Sequence, residues 1–233
     1  MFDAKKLLDQ MIGAAENVAG KENVDKVRKS IAENPGMAKA AGVGLAAVLL
    51  GTRSGRRLSG SAIKLGGLAA VGGLAYKAYQ NWQAQKSDDT SRSAGGDLLP
   101  PPQDSAFSHE KNDAQDSAKA FLAAMIAAAK ADGQIDGQEQ KRIFSKLNEM
   151  VDGTEAKAYL MEEMMAPLDI DRIAGMANSR ERAVEIYAAS CMAIEPDHPS
   201  ERQYLSELAA KMGLDKDLAA LVEKAIEEEK ASA

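Results

Sequence analysis

The chain has 233 residues and a formal net charge of -6, with 45% hydrophobic but only 4% aromatic residues. A core built mainly from alanine, leucine, methionine and isoleucine suits closely packed helices, and no segment shows the sustained alternation that predicts a strand. The single cysteine, Cys191, excludes an internal disulfide and a paired-cysteine zinc or redox motif. Its apolar helical surroundings predict a buried, inert thiol. The composition therefore predicts an all-α protein.

Charge is distributed unevenly along the chain. Residues 1–110 contain 14 Lys and Arg against 11 Asp and Glu, whereas residues 111–233 contain 15 against 24. No acidic residue occurs between Glu33 and Asp88. A basic apolar block attracts anionic lipid headgroups, whereas an acidic domain repels anions and attracts cations. We therefore expect membrane lipids as a partner of the basic block and no nucleic-acid partner.

An amphipathic helix is predicted over residues 3–33, within a first segment of residues 1–36. Apolar residues, beginning with Leu7 and Leu8, fall near one face at helical spacing, and Asn34-Pro35-Gly36 ends the pattern. The acidic residues near the start exclude a secretory signal. Two roles stay open for this helix, which are binding at a membrane surface and packing against another part of the protein.

Residues 37–86 form a basic segment rich in glycine and alanine, with two charge-free runs, Ala40–Thr52 and Leu65–Tyr76. Each run is shorter than the ~20 residues that span a bilayer. Small residues recur at four-residue spacing, which on a helix makes a smooth stripe that another backbone can approach. We expect a membrane-associated hairpin, with the aromatic residues near its end forming an interfacial belt. The alternative is a soluble hairpin that packs on itself or on a second copy.

Two further segments complete the chain. Residues 87–113 are polar, contain Gly-Gly and Pro-Pro-Pro and lack periodicity, which predicts a disordered linker. Residues 114–233 show short amphipathic helical patterns joined by tight turns, and this predicts a compact orthogonal bundle. The helices are expected to start near Gln138, Thr154, Ile170, Ser179, Pro199 and Asp215.

The first candidate site is a turn that contains Asp132, Asp136 and Glu139. Carboxylates this close together repel one another unless a cation joins them, and clusters of oxygen ligands suit Ca²⁺ or Mg²⁺. A similar turn 62 residues later contains Glu195, Asp197 and Glu201 and includes His198, which would also allow Zn²⁺ or Mn²⁺. The sequence thus predicts a divalent metal site shared by two acidic turns.

Helix capping is the alternative explanation of the same residues. Asp136 and Glu139 have the spacing of a capping box, and His198-Pro199-Ser200-Glu201 also has the pattern of a helix start. The calcium-binding EF-hand pattern fails because its twelfth position is Ile143 instead of glutamate. Capping explains Asp132 less well than its neighbours, so both readings stay open.

No set of catalytic residues can be identified. The two histidines, His109 and His198, lack a neighbouring serine or cysteine elbow, and the sequence contains no GxSxG, HExxH or Walker-type loop. A lone histidine at a helix start is more often a cap than a base. We therefore expect a protein that is not an enzyme.

Several long motifs resemble a known family. They are GLAAVLLGTRSGRRLSGSAIKLGGLAAVGGLAYKAYQNWQ, AMIAAAKADGQIDGQEQKRIF and AIEPDHPSERQYLSELA. These motifs resemble the YebE family (domain of unknown function family 533), whose members are proteobacterial inner-membrane proteins, over nearly the whole chain after about residue 36. The C-terminal part is similar to the tellurite-resistance TerB domain, an all-helical bundle with a metal site of acidic residues.

The resemblance implies particular metal ligands and a role. The family's first turn falls on Asp132, Asp136 and Glu139, and EPDHP stands where TerB has a second turn similar to ADG. The implied protein is a non-enzymatic inner-membrane protein in envelope or metal stress, with a cytoplasmic domain that binds a divalent cation and an unknown protein partner. The alternative is a soluble or peripheral scaffold that forms a homo-oligomer through the Gly/Ala segment, with acidic turns that are only caps.

Overall fold

The computed structural model describes residues 2–9, 67–86, 98–109, 113–131, 133, 154–194, 196 and 198–231. These residues form eight helices and contain no strand, so the all-α prediction is confirmed. The helices are α1 (residues 4–9), α2 (Gly67–Lys86), α3 (Ala114–Ala129), α4 (Thr154–Met165), α5 (Ile170–Ala174), α6 (Arg180–Ala193), α7 (Pro199–Lys211) and α8 (Lys216–Ala231).

Helix α6 lies at the centre of the bundle and packs mainly against α3, α2 and α8. Every residue from Arg182 to Ala193 is buried, because the sequence is apolar around most of the helix. Cys191 is among these residues, and burial raises the pKa of its thiol. The prediction of a buried cysteine is therefore confirmed.

Helix α2 belongs to this core. Leu68, Val71, Leu74 and Ala78 are buried, and α2 packs against α8 and α6. No helix in the described ranges has the length and apolar character needed to cross a membrane. The earlier run Ala40–Thr52 lies outside the described residues.

The aromatic residues of the predicted interfacial belt pack against other parts of the protein in the structure. The Trp82 side chain is buried, and its ring centroid lies 5.6 Å from that of Tyr79. Tyr76 and Tyr79 both pack against Phe107. These aromatic residues thus complete a protein core instead of lying at a lipid boundary.

The small-residue stripe of α2 is covered by residues 98–109 of the same chain. A Cβ built on Gly72 would lie 2.7 Å from the Phe107 main-chain oxygen, and one built on Gly73 would lie 2.9 Å from that of Leu99. Leu98 and Phe107 are buried there. The expected disorder is therefore wrong for this part of the linker, because a few apolar anchors hold a chain that has no periodicity.

Helix α1 also packs against the bundle. Leu7 and Leu8 are buried, and the Gly67 amide donates to Asp9 Oδ1 at 2.7 Å. The Gln115 side chain accepts from the Ala4 amide, also at 2.7 Å. The described part of the N-terminal helix thus packs on the protein itself, and residues 10–36 lie outside the described residues.

Two lysines bind main-chain carbonyl groups at the carboxyl ends of α4 and α6. Lys130, just after α3, donates to the main-chain oxygen of Glu163 at 3.1 Å and to the main-chain oxygen of Ala166, at the end of α4. Lys230 in α8 donates to the Ile194 oxygen at 3.0 Å, at the end of α6. A cation at a helix carboxyl end satisfies carbonyl groups that lack a partner within the helix. These contacts tie neighbouring helices together.

Candidate functional site

A groove of about 590 Å³ lies between α2 and residues 98–109, which we call the covering segment. Helix α2 supplies one wall, residues 105–107 supply the other, and the first turn of α6 closes one end. The lining residues are Tyr76, Tyr79, Gln80, Gln83, Ala84, Ser105, Ala106, Phe107 and Glu181.

Three aromatic rings give the groove its shape. The ring centroid of Phe107 lies 5.7 Å from that of Tyr76 and 5.4 Å from that of Tyr79. Tilted and edge-on rings at such distances attract each other beyond the effect of buried area. Residues 105–107 form the wall of the groove opposite α2, and the buried Phe107 side chain anchors them. The shape of this wall therefore depends on where these residues lie.

The groove carries one ionised group among neutral ones. Glu181 lies in the first turn of α6, where the positive end of the helix dipole favours a carboxylate. The Tyr79 hydroxyl donates to Glu181 Oε1 at 3.4 Å, and Gln80 is hydrogen-bonded to the Tyr76 hydroxyl. Aromatic faces and a carboxylate both attract positive charge, so the lining suits a cationic ligand group.

A network of buried polar side chains includes His109, two residues after Phe107 in the covering segment. His109 Nε2 is 2.6 Å from Glu185 Oε1, and the two side chains are only 4% and 1% exposed. His109 Nδ1 is 3.2 Å from the Ser117 hydroxyl, which is also 2.6 Å from the Asp113 main-chain oxygen. The network joins the covering segment to the start of α3 and the middle of α6.

Arg182 completes the network from α6. Its guanidinium pairs with the Asp113 carboxylate, and Nη1 lies 3.6 Å from Glu185 Oε2. Burial lowers the pKa of Arg182, and the neighbouring Glu185 charge opposes that change. The guanidinium also lies over the Phe121 ring, 5.6 Å from its centroid. One cation thus holds two carboxylates of the network.

Ser117, His109 and Glu185 have the residue types of a catalytic triad, but their arrangement is different. Ser117 is fully buried, and its hydroxyl is nearer to the Asp113 main-chain oxygen than to the imidazole. A nucleophile must reach its substrate and must be hydrogen-bonded to its base. The cluster therefore offers no accessible nucleophile.

Sequence comparison identifies the family. The profile described as a protein of unknown function (DUF533) matches residues 35–226. The chain belongs to this DUF533 family. A relative from Yersinia enterocolitica, described as an uncharacterized protein in the ampR 5' region, is 30% identical over 112 residues, which cover 48% of this chain and 81% of the relative. No solved structure matches the chain.

Of the six predicted metal ligands of this DUF533 protein, the structure describes one. Asp132, Asp136, Glu139, Glu195 and Asp197 lie outside the described residues. Among the residues that the structure describes, no group of three or more His, Cys, Asp or Glu side chains is placed to hold a metal ion.

The described ligand, Glu201, acts as a helix cap. Its Oε2 accepts from the His198 amide at 3.2 Å, while His198 Nδ1 accepts from the Ser200 amide at 3.3 Å. Glu201 is buried in this capping box, at the start of α7. The geometry supports the capping explanation at the second turn, and the first turn stays a prediction.

The network of His109 and Glu185 does not follow from the sequence pattern around His109. This histidine lies in the polar segment of residues 87–113, where no neighbour in sequence indicates a buried role. A signal was present in α6, because Glu185 interrupts the apolar run AVEIYAAS. A carboxylate in the middle of a buried helix requires a partner, and that partner comes from a distant part of the chain.

Proposed function

We propose that this DUF533 protein is a non-enzymatic, membrane-associated binding protein. Its helical bundle takes an arginine-bearing segment of a protein partner in the groove between α2 and residues 105–107. The observation that carries the proposal is the lining of this groove, which contains the half-buried rings of Tyr76 and Tyr79 and the Glu181 carboxylate, hydrogen-bonded to the Tyr79 hydroxyl.

Arginine fits this lining better than lysine. Its planar guanidinium stacks on aromatic faces and binds a carboxylate through two parallel hydrogen bonds. Cations lie on a neighbouring aromatic ring within the molecule itself, since Arg180 and Lys86 are 5.2 and 4.0 Å from the Trp82 centroid. The preference for arginine at the groove therefore depends on the carboxylate of Glu181, which a guanidinium can bind through two hydrogen bonds. The excess of acidic residues in residues 111–233 also attracts a basic partner.

A binding titration tests the groove. A short synthetic peptide with two adjacent arginines is expected to bind the full chain, and a peptide with two glutamates is not. Glu181→Gln and Tyr79→Leu should each weaken binding by about fivefold or more. The first substitution removes the carboxylate that pairs with the guanidinium, and the second removes an aromatic face on which it stacks. Glu207→Gln removes the same charge from an exposed position on α7 and should leave binding unchanged. Equal weakening by Glu207→Gln would show that only overall charge matters.

Membrane association is assigned to residues 37–66. This stretch contains no acidic residue and has Arg53, Arg56, Arg57 and Lys64 close to the start of α2. The resemblance to a family of inner-membrane proteins supports the same assignment, with the bundle on the cytoplasmic side. Deletion of residues 37–66 should release the protein from anionic vesicles, whereas full-length protein found entirely in the supernatant would contradict the assignment.

Divalent cation binding is assigned to the first acidic turn alone. Asp132, Asp136 and Glu139 supply the oxygen ligands that Ca²⁺ and Mg²⁺ prefer. The similarity of this turn to that of the TerB domain supports the assignment and connects the protein with metal or envelope stress.

A further inference from the structure

The covering segment is held on α2 by main-chain contacts to Gly72 and Gly73 and by the buried side chains of Leu98 and Phe107. At the carboxyl end of the segment, the His109 imidazole attaches it to α6 through Glu185. Whether this imidazole carries one proton or two therefore affects how firmly the segment is held.

Hydrogen-bond geometry determines which imidazole nitrogens must donate. The Ser117 hydroxyl has one proton, and its distance to the Asp113 main-chain oxygen, 2.6 Å, is shorter than its 3.2 Å distance to His109 Nδ1. With that proton directed to Asp113, the hydroxyl oxygen can only accept from Nδ1. Nε2 donates as well when Glu185 is ionised, because an ionised carboxylate oxygen 2.6 Å away can only accept. Both nitrogens are thus placed to donate, which only an imidazolium can do.

Charged groups surround the ring. Glu185 and Arg182 face it from α6, Asp113 faces it from the start of α3, with Oδ2 4.0 Å from Nδ1, and α2 presents Gly72 there. The Glu185 and Arg182 side chains are 1% and 8% exposed, whereas Asp113 is 54% exposed and in contact with solvent. With an imidazolium, the 2.6 Å contact between His109 and Glu185 is a charge-assisted hydrogen bond, which is stronger than one made by a neutral ring.

We propose that His109 and Glu185 form a proton-controlled latch that holds residues 98–109 on α2 and thereby keeps Phe107 in the wall of the groove. Loss of the proton removes one donor and the charge-assisted character of the hydrogen bond to Glu185, so the segment loosens as the pH rises. The effect on ligand binding rests on the proposed function of the groove, whereas the latch itself does not.

Hydrogen exchange measured by mass spectrometry on the full chain tests the latch. Protection factors of residues 98–109 should fall by about tenfold between about pH 6 and pH 8.5, as expected for the loss of a charge-assisted hydrogen bond. Protection in α6 should stay constant. In His109→Gln the segment should exchange fast at both pH values, while His198→Gln, which changes the other histidine, should keep the pH dependence. A pH dependence that survives in His109→Gln, or is absent from the wild type, overturns the proposal.

Nitrogen NMR of the wild-type imidazoles keeps the proposal testable if His109→Gln does not fold. At pH 7 both His109 nitrogens should give signals of protonated nitrogen, and a neutral ring would overturn the latch. Binding of the two-arginine peptide separates the two ideas. A latch seen by exchange together with no peptide binding at either pH rejects the groove function alone. Peptide binding together with pH-independent exchange rejects the latch alone.

Discussion

Gly72 and Phe107 are in contact through main-chain atoms, since a Cβ on residue 72 would lie 2.7 Å from the residue 107 oxygen. Non-bonded carbon and oxygen atoms do not approach each other this closely. The covering segment can therefore lie on α2 only because residue 72 has no side chain. This contact also fixes one wall of the groove, because Phe107 lines it.

Gly72→Ala should destabilise the protein. Alanine in a helix interior is favoured over glycine by up to ~1 kcal/mol, so an open site would give a more stable variant. The close main-chain oxygen reverses the sign, and we expect a net loss of about 1–3 kcal/mol, as for other overpacked cores. Urea unfolding followed by circular dichroism measures the change. Gln85→Ala, at an exposed position of α2, should change stability little, and a gain in Gly72→Ala would show that the contact is absent.

A fragment of residues 113–233 should be less stable than one of residues 67–233. The sequence predicts a compact bundle over residues 114–233, but in the structure α2 also covers apolar surface on α6 and α8. Without α2 that surface is exposed to water, which costs free energy in proportion to the apolar area. The shorter fragment should melt at a lower temperature and bind more of a hydrophobic dye. Identical melting curves would show that the two parts fold independently.

Alkaline pH should unfold the protein through its buried tyrosines. Burial raises the pKa of Tyr204 to about 12, and it also raises the pKa values of Tyr159 and Tyr187. Because the folded pKa of Tyr204 exceeds the unfolded value near 10, its contribution is complete below about pH 10 and is lost as the pH rises to about 12, in total about 2–3 kcal/mol. Stability measured by denaturant unfolding should fall less steeply over this range in Tyr204→Phe. If stability fell equally steeply with pH in Tyr204→Phe and in the wild type, ionisation of Tyr204 would not be a cause of the loss.

Substitutions at Glu201 and Asp132 separate caps from metal ligands. Glu201→Ala should lose ~1 kcal/mol equally with and without a chelator, because the capping box does not require an ion. Asp132→Asn should cost little stability in chelator but should abolish any rise in melting temperature caused by Ca²⁺ or Mg²⁺, since a ligand selective for the folded state stabilises it. Thermal melts with each ion measure both effects. A wild-type melt that no divalent ion shifts would exclude the metal site.

The helix starts predicted near Thr154, Ile170, Ser179, Pro199 and Asp215 agree with the structure to within one residue, and the one near Gln138 lies outside the described residues. Ser179 and His198 cap α6 and α7 in the structure, as their residue types and the following proline indicate. These signals act within one helical turn, so they can be read from the sequence alone. The all-α class followed from the same kind of short-range pattern.

Long-range partners were beyond the sequence pattern. The glycines of α2 correctly indicated the close approach of another backbone, but spacing alone cannot tell a membrane helix, a second copy and the chain's own residues 98–109 apart. The groove escaped detection for the same reason, since Tyr76, Phe107 and Glu181 come from three distant segments. Of the predicted metal site, only Glu201 can be compared with the structure, and it is a cap.

The position of α2 along the chain has a consequence for synthesis. Helix α2 ends at Lys86, whereas its two main partners begin at Arg180 and Lys216. A ribosome adding about 5–20 residues per second takes on the order of ten seconds to cover that interval. Throughout that time the apolar, glycine-rich segment of α2 has no surface of α6 or α8 to cover it. Any factor that binds exposed apolar segments can therefore reach α2 before the rest of the bundle encloses it.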